Sequence, residues 1–476
     1  MTSLTASSVR PSTSPARAAD ELAAGASRLV PWLYAFVAAA VSAYFSAIGG
    51  DARWLAALGR EIVNSGGIPD GVPYASAHSA GWENVPVLGE ILSYAAHAGL
   101  GDRGFLLLQA AALASCFGFL TLDARRAGAS SRGVGIALLL FAVAAFPALM
   151  VIRAQAYSLA LFPPLLFLLR ADARAPSRRI WLLVPIVVLW SNLHGAVLVG
   201  VAVAGAYLFL SRARRNAVTA ASVLAASLLA LSLTPSLYRT PLYYLGVLEN
   251  ESAARHYGLW ARLSFDSGAD VVVIVGTLVL VVLALRARPA AWEIVALAGL
   301  AALTIQAGRN SVWLAAFAAT HAARRARPRA TSSARLASPL RVALFSVAMV
   351  AAIVAFARGP LELAAGDRLV RQAIDVAQGT PVLAENQLAE QVALAGGRVW
   401  IANPIDAFAK PAQRAYFDWV GGLPGGDAAL AQAPRAVLVH RGGSAERRLA
   451  ADRAFRRLAA DPHAVLYVRA APPSSS

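Results

Sequence analysis

Apolar runs that end in arginine dominate this chain and leave it few folds to choose from. Stretches such as Ile180–Leu189, Ala196–Leu210, Val271–Leu285 and Val342–Ala355 hold almost nothing but aliphatic and small residues. Inside lipid a run of this kind must satisfy its own backbone hydrogen bonds, which a helix does. About 20 such residues cross a bilayer. The candidate spans are 29–49, 104–122, 133–152, 156–170, 180–191, 194–211, 217–234, 269–286, 291–307, 311–323 and 340–357. The expected fold class is therefore an all-α multi-pass transmembrane bundle of about eleven spans, followed by a small extracytoplasmic α/β domain.

Arginine sets the direction of the threading. The amino-terminal tail and connections 123–132, 170–179, 212–216, 286–290 and 324–341 carry a long series of arginines, among them Arg125, Arg126, Arg170, Arg174, Arg212, Arg286 and Arg324. The short connections on the other side carry Arg153 and Arg309. Positive charge marks the cytoplasmic side, so the spacing predicts a bacterial inner (cell) membrane protein with its amino terminus cytoplasmic and its carboxy-terminal domain extracytoplasmic. The formal charge of +17 would suggest nucleic acid in a soluble protein. Here it sits at the ends of apolar runs and serves topology, which argues against a nucleic-acid partner and sets a soluble function aside. The single cysteine, Cys116, lies within an apolar run and offers neither a disulfide framework nor a Cys-based metal site.

Residues 1–28 are rich in Ser, Thr, Ala and Pro and read as a disordered cytoplasmic tail. Leu29–Ile48 reads as an uncleaved signal anchor that opens a membrane domain over 29–357. Two external loops are long, 50–103 and 235–268. The first holds an interfacial helix over Val87–Leu100, with Glu90, Ser93 and His97 on its polar face. The second mixes Tyr238, Arg239, Tyr243, Tyr244, Trp260 and Arg262, as membrane-surface segments do. From 358 to 476 short apolar strands alternate with amphipathic helices. Strands are expected at Val382–Ala384, Val399–Ala402, Ala436–His440 and Ala464–Val468, and helices at Gln387–Leu394, Ala412–Trp419 and Ala445–Ala459.

The polar residues hardest to explain beside a span all fall on the external side. They are Asp51 after the first span, His78, Trp82 and Glu83 in the first loop, Arg153 and Gln155 in one turn, Asn192 and His194 in the next, and Gln306, Arg309 and Asn310 in the last. Such a one-sided gathering points to a site open to the outer leaflet. Each member also has a plainer account. Asp51 and Asn192 could cap helices, Arg153 and Arg309 could snorkel to the interface, and His78 and Glu83 could be solvated surface groups. No His-x-His or His-Glu-x-x-His pattern is present. The Asn403-Pro-Ile-Asp406 turn is the most site-like feature of the carboxy-terminal domain, and a plain turn also accounts for it.

Several of these segments resemble the GT-C superfamily, multi-pass glycosyltransferases that use polyprenyl-phosphate-linked sugars and include the protein O-mannosyltransferase-like group. The resemblance rests on Asp51-Ala-Arg-Trp54, Leu58-Gly-Arg-Glu-Ile62, Gly67-Ile-Pro69 and Trp82 in the first external loop, and on Trp190-x-Asn-x-His-Gly195. It implies that Asp51 is the catalytic base. Two departures stand out. Family members often carry a second acidic residue in tandem, where this chain has Ala52, and a Glu-Trp-Leu element expected after Trp82 reads Val85-Pro-Val-Leu88.

Transfer from a lipid phosphate to a hydroxyl needs a base at that hydroxyl and cations at the departing phosphate. Asp51 could serve as the base, a role worth about 10²–10⁴-fold when well placed. Arg153 and Arg309 could hold the phosphate through fork-shaped, charge-assisted hydrogen bonds. Gln155, Asn192, His194, Asn310, Glu83 and His78 are the remaining candidates for substrate binding, with Trp82 or Trp190 stacking on the sugar. Base and phosphate binders on opposite sides of the anomeric carbon imply inversion. The expected partners are a polyprenyl-phosphate-linked sugar, membrane lipid and an unidentified acceptor; the sequence names no cofactor, and a divalent cation is compatible with the chemistry. The rival class is a catalytically degenerate relative, or a transporter or scaffold that binds lipid-linked sugar without turnover.

Overall fold

The computed structural model describes residues 15–325, 338–362, 365–432 and 435–470. Residues 1–14 and the arginine-rich connection 326–337, both read above as cytoplasmic, lie outside them. The tail expected to be disordered up to residue 28 is shorter than that. Helix α1 runs from Pro15 to Tyr44, because the Ala, Glu and Leu of 18–24 are strong helix formers continuous with the apolar run.

From α1 the chain passes through strand β1 (Ala47–Ile48) into two helices, α2 (Ala52–Ser65) and α3 (Val87–Leu100), within the segment 50–103. The bundle continues with α4 (Asp102–Arg126), α5 (Ser131–Ala144) and a short α6 (Phe146–Met150). Strand β2 (Val151–Ile152) leads to α7 (Gln155–Arg174), α8 (Leu183–Ser191), α9 (Val197–Tyr207) and α10 (Ala217–Ala230). The second long external segment holds α11 (Thr240–Glu249) and α12 (Glu251–Ala254). Helices α13 (Gly268–Arg286), α14 (Ala291–Gln306), α15 (Ser311–Arg325) and α16 (Ser338–Arg358) complete the bundle. Side chains placed to accept the loose first-turn N–H groups start several of these helices: Ser130 before α5, Asn216 before α10 and Ser267 before α13.

Four helices, α4, α7, α13 and α16, are long and apolar enough to cross a membrane. Other apolar helices, over Leu29–Tyr44 and in α5, α9, α10 and α14, are shorter, and α8 has nine residues. Helix length therefore does not carry the count of eleven spans. Helix α15 occupies the middle of the bundle, with every residue from Ser311 to Ala323 buried. Its small, apolar, alanine-rich surface lets α4, α5, α13 and α14 close around it. Cys116 is a buried member of the same core.

The carboxy-terminal unit contains α17 (Asp367–Ala377), β3 (Leu383–Ala384), α18 (Asn386–Leu394), α19 (Lys410–Val420), α20 (Asp427–Leu430), β4 (Ala436–His440), α21 (Ser444–Ala451), β5 (Phe455–Ala460) and β6 (Ala464–Arg469). Its sheet has the order β3-β4-β6-β5, with β3 parallel to β4 and the other pairs antiparallel. The helix expected over Ala445–Ala459 ends at Ala451, and its second half is edge strand β5. Pairing with β6 overrides a helical pattern there that Asp452 already interrupts. Val399–Ala402 forms isolated bridges at Val399 in place of a strand.

Those bridges tie the first external loop into the carboxy-terminal unit. Val399 accepts from the Ser76 amide at 2.9 Å, its own amide donates to Tyr74 at 2.9 Å, and Trp400 donates to Val382 at 3.1 Å. Trp54, Leu55, Ala57, Leu58, Val72 and Tyr74 share one hydrophobic core with α17, α18, β4 and β6. The loop belongs to the same packed body as the carboxy-terminal unit and is not a connection beside it. Helix α3 has the expected bounds, but its polar residues turn inward. Glu90 and Ser93 are buried, while Leu92 and Leu100 are exposed. Glu90 Oε2 accepts from Asn84 at 2.8 Å, and Ser93 and Tyr157 share a hydrogen bond of 2.8 Å. Gly59 makes this packing possible, since a Cβ there would lie 2.1 Å from the Glu90 carbonyl oxygen.

A second polar cluster is buried at the other end of α7 from Gln155, roughly 20 Å away along the helix. Arg170 pairs with Asp123 at 2.7 Å and with Glu293 at 3.2 Å, donates to the Phe317 carbonyl at 2.8 Å and lies over the Phe317 ring at 4.7 Å. His321 Nε2 is 2.9 Å from Glu293. Arg212 pairs with Asp172 at 3.1 Å, and Tyr207 donates to the same carboxylate at 2.6 Å. Arg170 and Arg212, counted above as topological charges, are thus buried ion-pair partners.

Candidate active site

The site begins with a short piece of backbone. Strands β1 and β2 pair in parallel, Ala47 with Val151 and Ile48 with Ile152, and the Gly49 amide donates to the Ile152 carbonyl at 3.0 Å. A Cβ at Gly49 would lie 2.2 Å from Val151 Cγ1, so glycine permits the close approach. This pairing brings the end of the first span beside the turn before α7, and with it Asp51 beside Arg153.

Asp51 stands at the start of α2 with φ 86° and ψ −29°, in the left-handed region, and makes no side-chain capping bond to that helix. Its Oδ1 accepts instead from Trp54 Nε1 at 3.1 Å and from Asn403 Nδ2 at 3.4 Å. The helix-cap account of Asp51 therefore fails. A non-glycine residue held at positive φ stores strain of the kind that collects at functional sites.

Two cavities meet at this residue. One, of 290 Å³, lies between the bundle and the carboxy-terminal unit and is lined by Trp54, Trp82, Asn250, Asn386, Asn403 and Asp406 among others. The other, of 370 Å³, is bounded by Leu198, Val199, Ala202, Leu248, Leu303 and Trp313, with Arg153, Gln155 and Asn310 on its polar side. Asp51, His194, Tyr243, Trp260 and Arg309 line both.

The cations are set against this junction. Arg309, in the turn between α14 and α15, lies over the Trp260 ring at 3.7 Å. Arg153 Nε is buried and has no hydrogen-bond partner among the described residues, and the same holds for Gln155 Oε1. Gln155 Nε2 donates to the Arg309 carbonyl at 3.3 Å, which links the two turns. His194 is fixed by a chain in which Trp190 Nε1 donates to Ser158 Oγ at 2.7 Å and Ser158 bonds His194 Nδ1 at 2.6 Å. Asn310 Nδ2 donates to the Leu303 carbonyl at 3.0 Å. Buried polar atoms without partners are costly, so Arg153 Nε and Gln155 Oε1 mark the part of the junction whose hydrogen bonds are left unfilled among the described residues.

The remaining candidates divide. Trp82 lines the first cavity and donates to Asp406 at 2.9 Å. Glu83 and His78 line neither of these two cavities; they border a shallower recess with Arg239, which pairs with Glu83 at 2.5 Å. Asn192 also lines neither. Its amide donates to the carbonyls of Val188 and Leu233, both at 2.8 Å, so it ties off helix ends. Trp190 is fully buried and cannot stack on a sugar.

The carboxy-terminal unit supplies groups that the sequence left as a plain turn or passed over. Glu390 on α18 accepts the Asp51 amide on both carboxylate oxygens, at 3.1 Å and 3.1 Å, and accepts from Asn403 Nδ2 at 2.8 Å. Burial, and then the neighbouring Asp51, push the Glu390 carboxyl up to about 8. Burial likewise pushes Asp406 up to about 6 against the opposing Trp82 hydrogen bond. Asn403 and Asp406 belong to the turn noted above; Glu390 sits within an ordinary amphipathic helix and gave no sign in the sequence. Among the described residues no three of His, Cys, Asp and Glu gather closely enough to hold a metal ion.

No protein-family model matches the chain, and no curated protein matches it. Among solved structures it is similar to the crystal structure of ArnT from Cupriavidus metallidurans bound to undecaprenyl phosphate. The TM-score is 0.51 at 14% identity, over 92% of this chain and 98% of that chain. At this identity the likeness concerns the fold alone: a mostly helical architecture with a small sheet region towards the carboxy terminus.

Proposed function

We propose that this protein is an inner-membrane glycosyltransferase that moves a sugar from a polyprenyl-phosphate donor to an acceptor hydroxyl at the outer face, with inversion. One observation carries the reading: the strained Asp51 and the half-buried cations Arg153 and Arg309 border one cavity, and Arg153 Nε is buried with no partner among the described residues. The likeness to ArnT, crystallised with undecaprenyl phosphate, supports the donor class.

The chemistry follows from the placement. Asp51 takes the acceptor proton as the acceptor oxygen bonds to the anomeric carbon. The bond from that carbon to the phosphate oxygen breaks, and its electron pair stays on the phosphate. Arg153 and Arg309 stabilise the charge that develops there, in a setting where fixed cations act more strongly than in water. The apolar wall at Leu198, Val199 and Leu303 suits the first isoprene units of the carrier. The larger-scale topology, with the amino terminus cytoplasmic and the carboxy-terminal unit outside, belongs to the same proposal. A binder that holds lipid-linked sugar without turnover has one observation in its favour: Asp51 Oδ1 already accepts two hydrogen bonds, and residue 52 is Ala where relatives carry a second acid.

The deciding experiment places wild type and Asp51→Asn in nanodiscs with radiolabelled polyprenyl-phosphate sugars and follows loss of sugar from the lipid. Turnover by wild type alone establishes both class and base. Retained turnover in Asp51→Asn removes Asp51 from that role, and binding without turnover in both leaves the binder.

A further inference from the structure

We infer that Glu390 is a positioning residue: from the carboxy-terminal unit it fixes the backbone of Asp51 in the left-handed conformation and thereby aims the Asp51 carboxylate. The inference rests on the reading of Asp51 as the base.

Glu390 is buried, with 1% of its surface exposed, at a position where an apolar side chain would avoid the cost of burying a carboxyl. Among the described residues no cation forms a salt bridge with it, and Arg53 acts on it only through space. Arg53, the nearest arginine on α2, is engaged by Asp102 at 3.0 Å and Glu362 at 2.5 Å. Its partners are the Asp51 amide and Asn403, and Asn403 itself reaches Asp51 Oδ1. Every polar contact of Glu390 therefore leads to Asp51. At φ 86° the Asp51 amide points away from the α2 ladder and needs an acceptor of its own, because α2 offers none. The single N–H is shared between the two oxygens at equal distance and so sits astride the carboxyl group, which resists rotation of the peptide. The Asp51 side chain leaves the same Cα, so a rotated peptide swings the carboxylate away from the junction of the two cavities. Loop and carboxy-terminal unit share one core, which keeps α18 in register with Asp51.

The test uses full-length protein in nanodiscs, with Glu390→Leu, Glu390→Gln, Asp51→Asn and the double variant Asp51→Asn/Glu390→Leu. Hydrogen exchange over residues 49–55 reads the Asp51 amide without reference to activity. Glu390→Leu is expected to lose protection there while α17 and β4 keep theirs, and Glu390→Gln, which retains an acceptor, keeps it. In transfer assays Glu390→Leu lowers kcat about 10²-fold, as a misaimed catalytic group does, with donor KM changed by less than about twofold. Glu390→Gln restores most of the rate, and Glu390→Leu adds no loss once Asp51 is Asn. Unchanged protection in Glu390→Leu overturns the inference, and so does a collapse of protection across the whole carboxy-terminal unit. If wild type shows no transfer, the glycosyltransferase reading fails, and the exchange data still decide whether Glu390 holds Asp51.

Discussion

Two buried polar clusters occupy the two ends of the bundle, and they are wired differently. At one end the three guanidinium nitrogens of Arg170 are filled by two carboxylates and a carbonyl, with an aromatic face alongside, although Asp123 Oδ1, Arg212 Nε and His321 Nδ1 in the same cluster have no hydrogen-bond partner among the described residues. At the other, Arg153 keeps a bare nitrogen, Gln155 a bare oxygen, and Arg309 rests on Trp260 at the edge of two cavities. Charge buried with its partners locks helices in one arrangement. Charge left without them, beside a cavity, is on the reading proposed above a place held for a phosphate. A sequence shows both as arginines near the ends of apolar runs, so only the partners distinguish them.

The largest expected effect breaks the first cluster. Arg170→Leu strands Asp123 and Glu293 in the core, a loss of about 3–5 kcal/mol. Thermal unfolding in detergent, followed by size-exclusion, should show a steep drop in folded protein, and a wild-type melting curve would mean that the ion pairs do not hold the helices. Arg153→Leu is the counterpart. Its melting point should equal or exceed that of wild type, while transfer falls about 10²–10³-fold, the usual loss when a fixed stabilising group is removed. If it unfolds as Arg170→Leu does, the contrast between the ends disappears.

A smaller effect is set by pH. Burial pushes the carboxyls of Glu90 and Glu390 up to about 8 from an ordinary 4.5. Between those values the folded protein holds protons that the unfolded chain has released, so stability is full below about 4.5 and is lost as pH rises towards 8. Melting points should fall from pH 5 to pH 8, and Glu390→Gln should flatten part of that slope. A flat wild-type profile would show that neither group is held neutral. The smallest effect is at Asn192. Asn192→Ala should cost about 1 kcal/mol of stability through its lost hydrogen bonds and leave turnover at wild-type level; a large loss of transfer would return it to the site.

The parts of this fold that could be read from the sequence are those governed by local pattern. Apolar runs marked the bundle, the bounds of α3 at Val87 and Leu100 were visible, and strand β4 appeared as Ala436–His440. The gathering of Asp51, Arg153, His194 and Arg309 was legible because topology alone puts those turns on one side. What was hidden depends on partners far apart in the chain. Glu390 meets Asp51 across 339 positions, and nothing in an amphipathic helix says which carboxylate will face inward. Ser158, which steadies His194, lies inside an apolar run where a hydroxyl has many uses. The inward turn of Glu90 and Ser93 reverses the usual reading of an interfacial helix, because α2 offers Gly59 and a close backbone on that side. Strand β5 was masked by helix formers whose preference loses to pairing with β6.

The stitching of the first loop onto Val399 has a mechanical consequence. A roof sewn to its own wall cannot lift like a hatch: Trp54 and Tyr74 are anchored in the same core as Leu438 and Leu466, so the first loop and the carboxy-terminal unit travel as one rigid piece over the bundle side of the smaller cavity. Reactants would then reach the junction sideways, the greasy carrier sliding in past Leu198 and Leu303 and the other reactant threading the crevice beside Trp260.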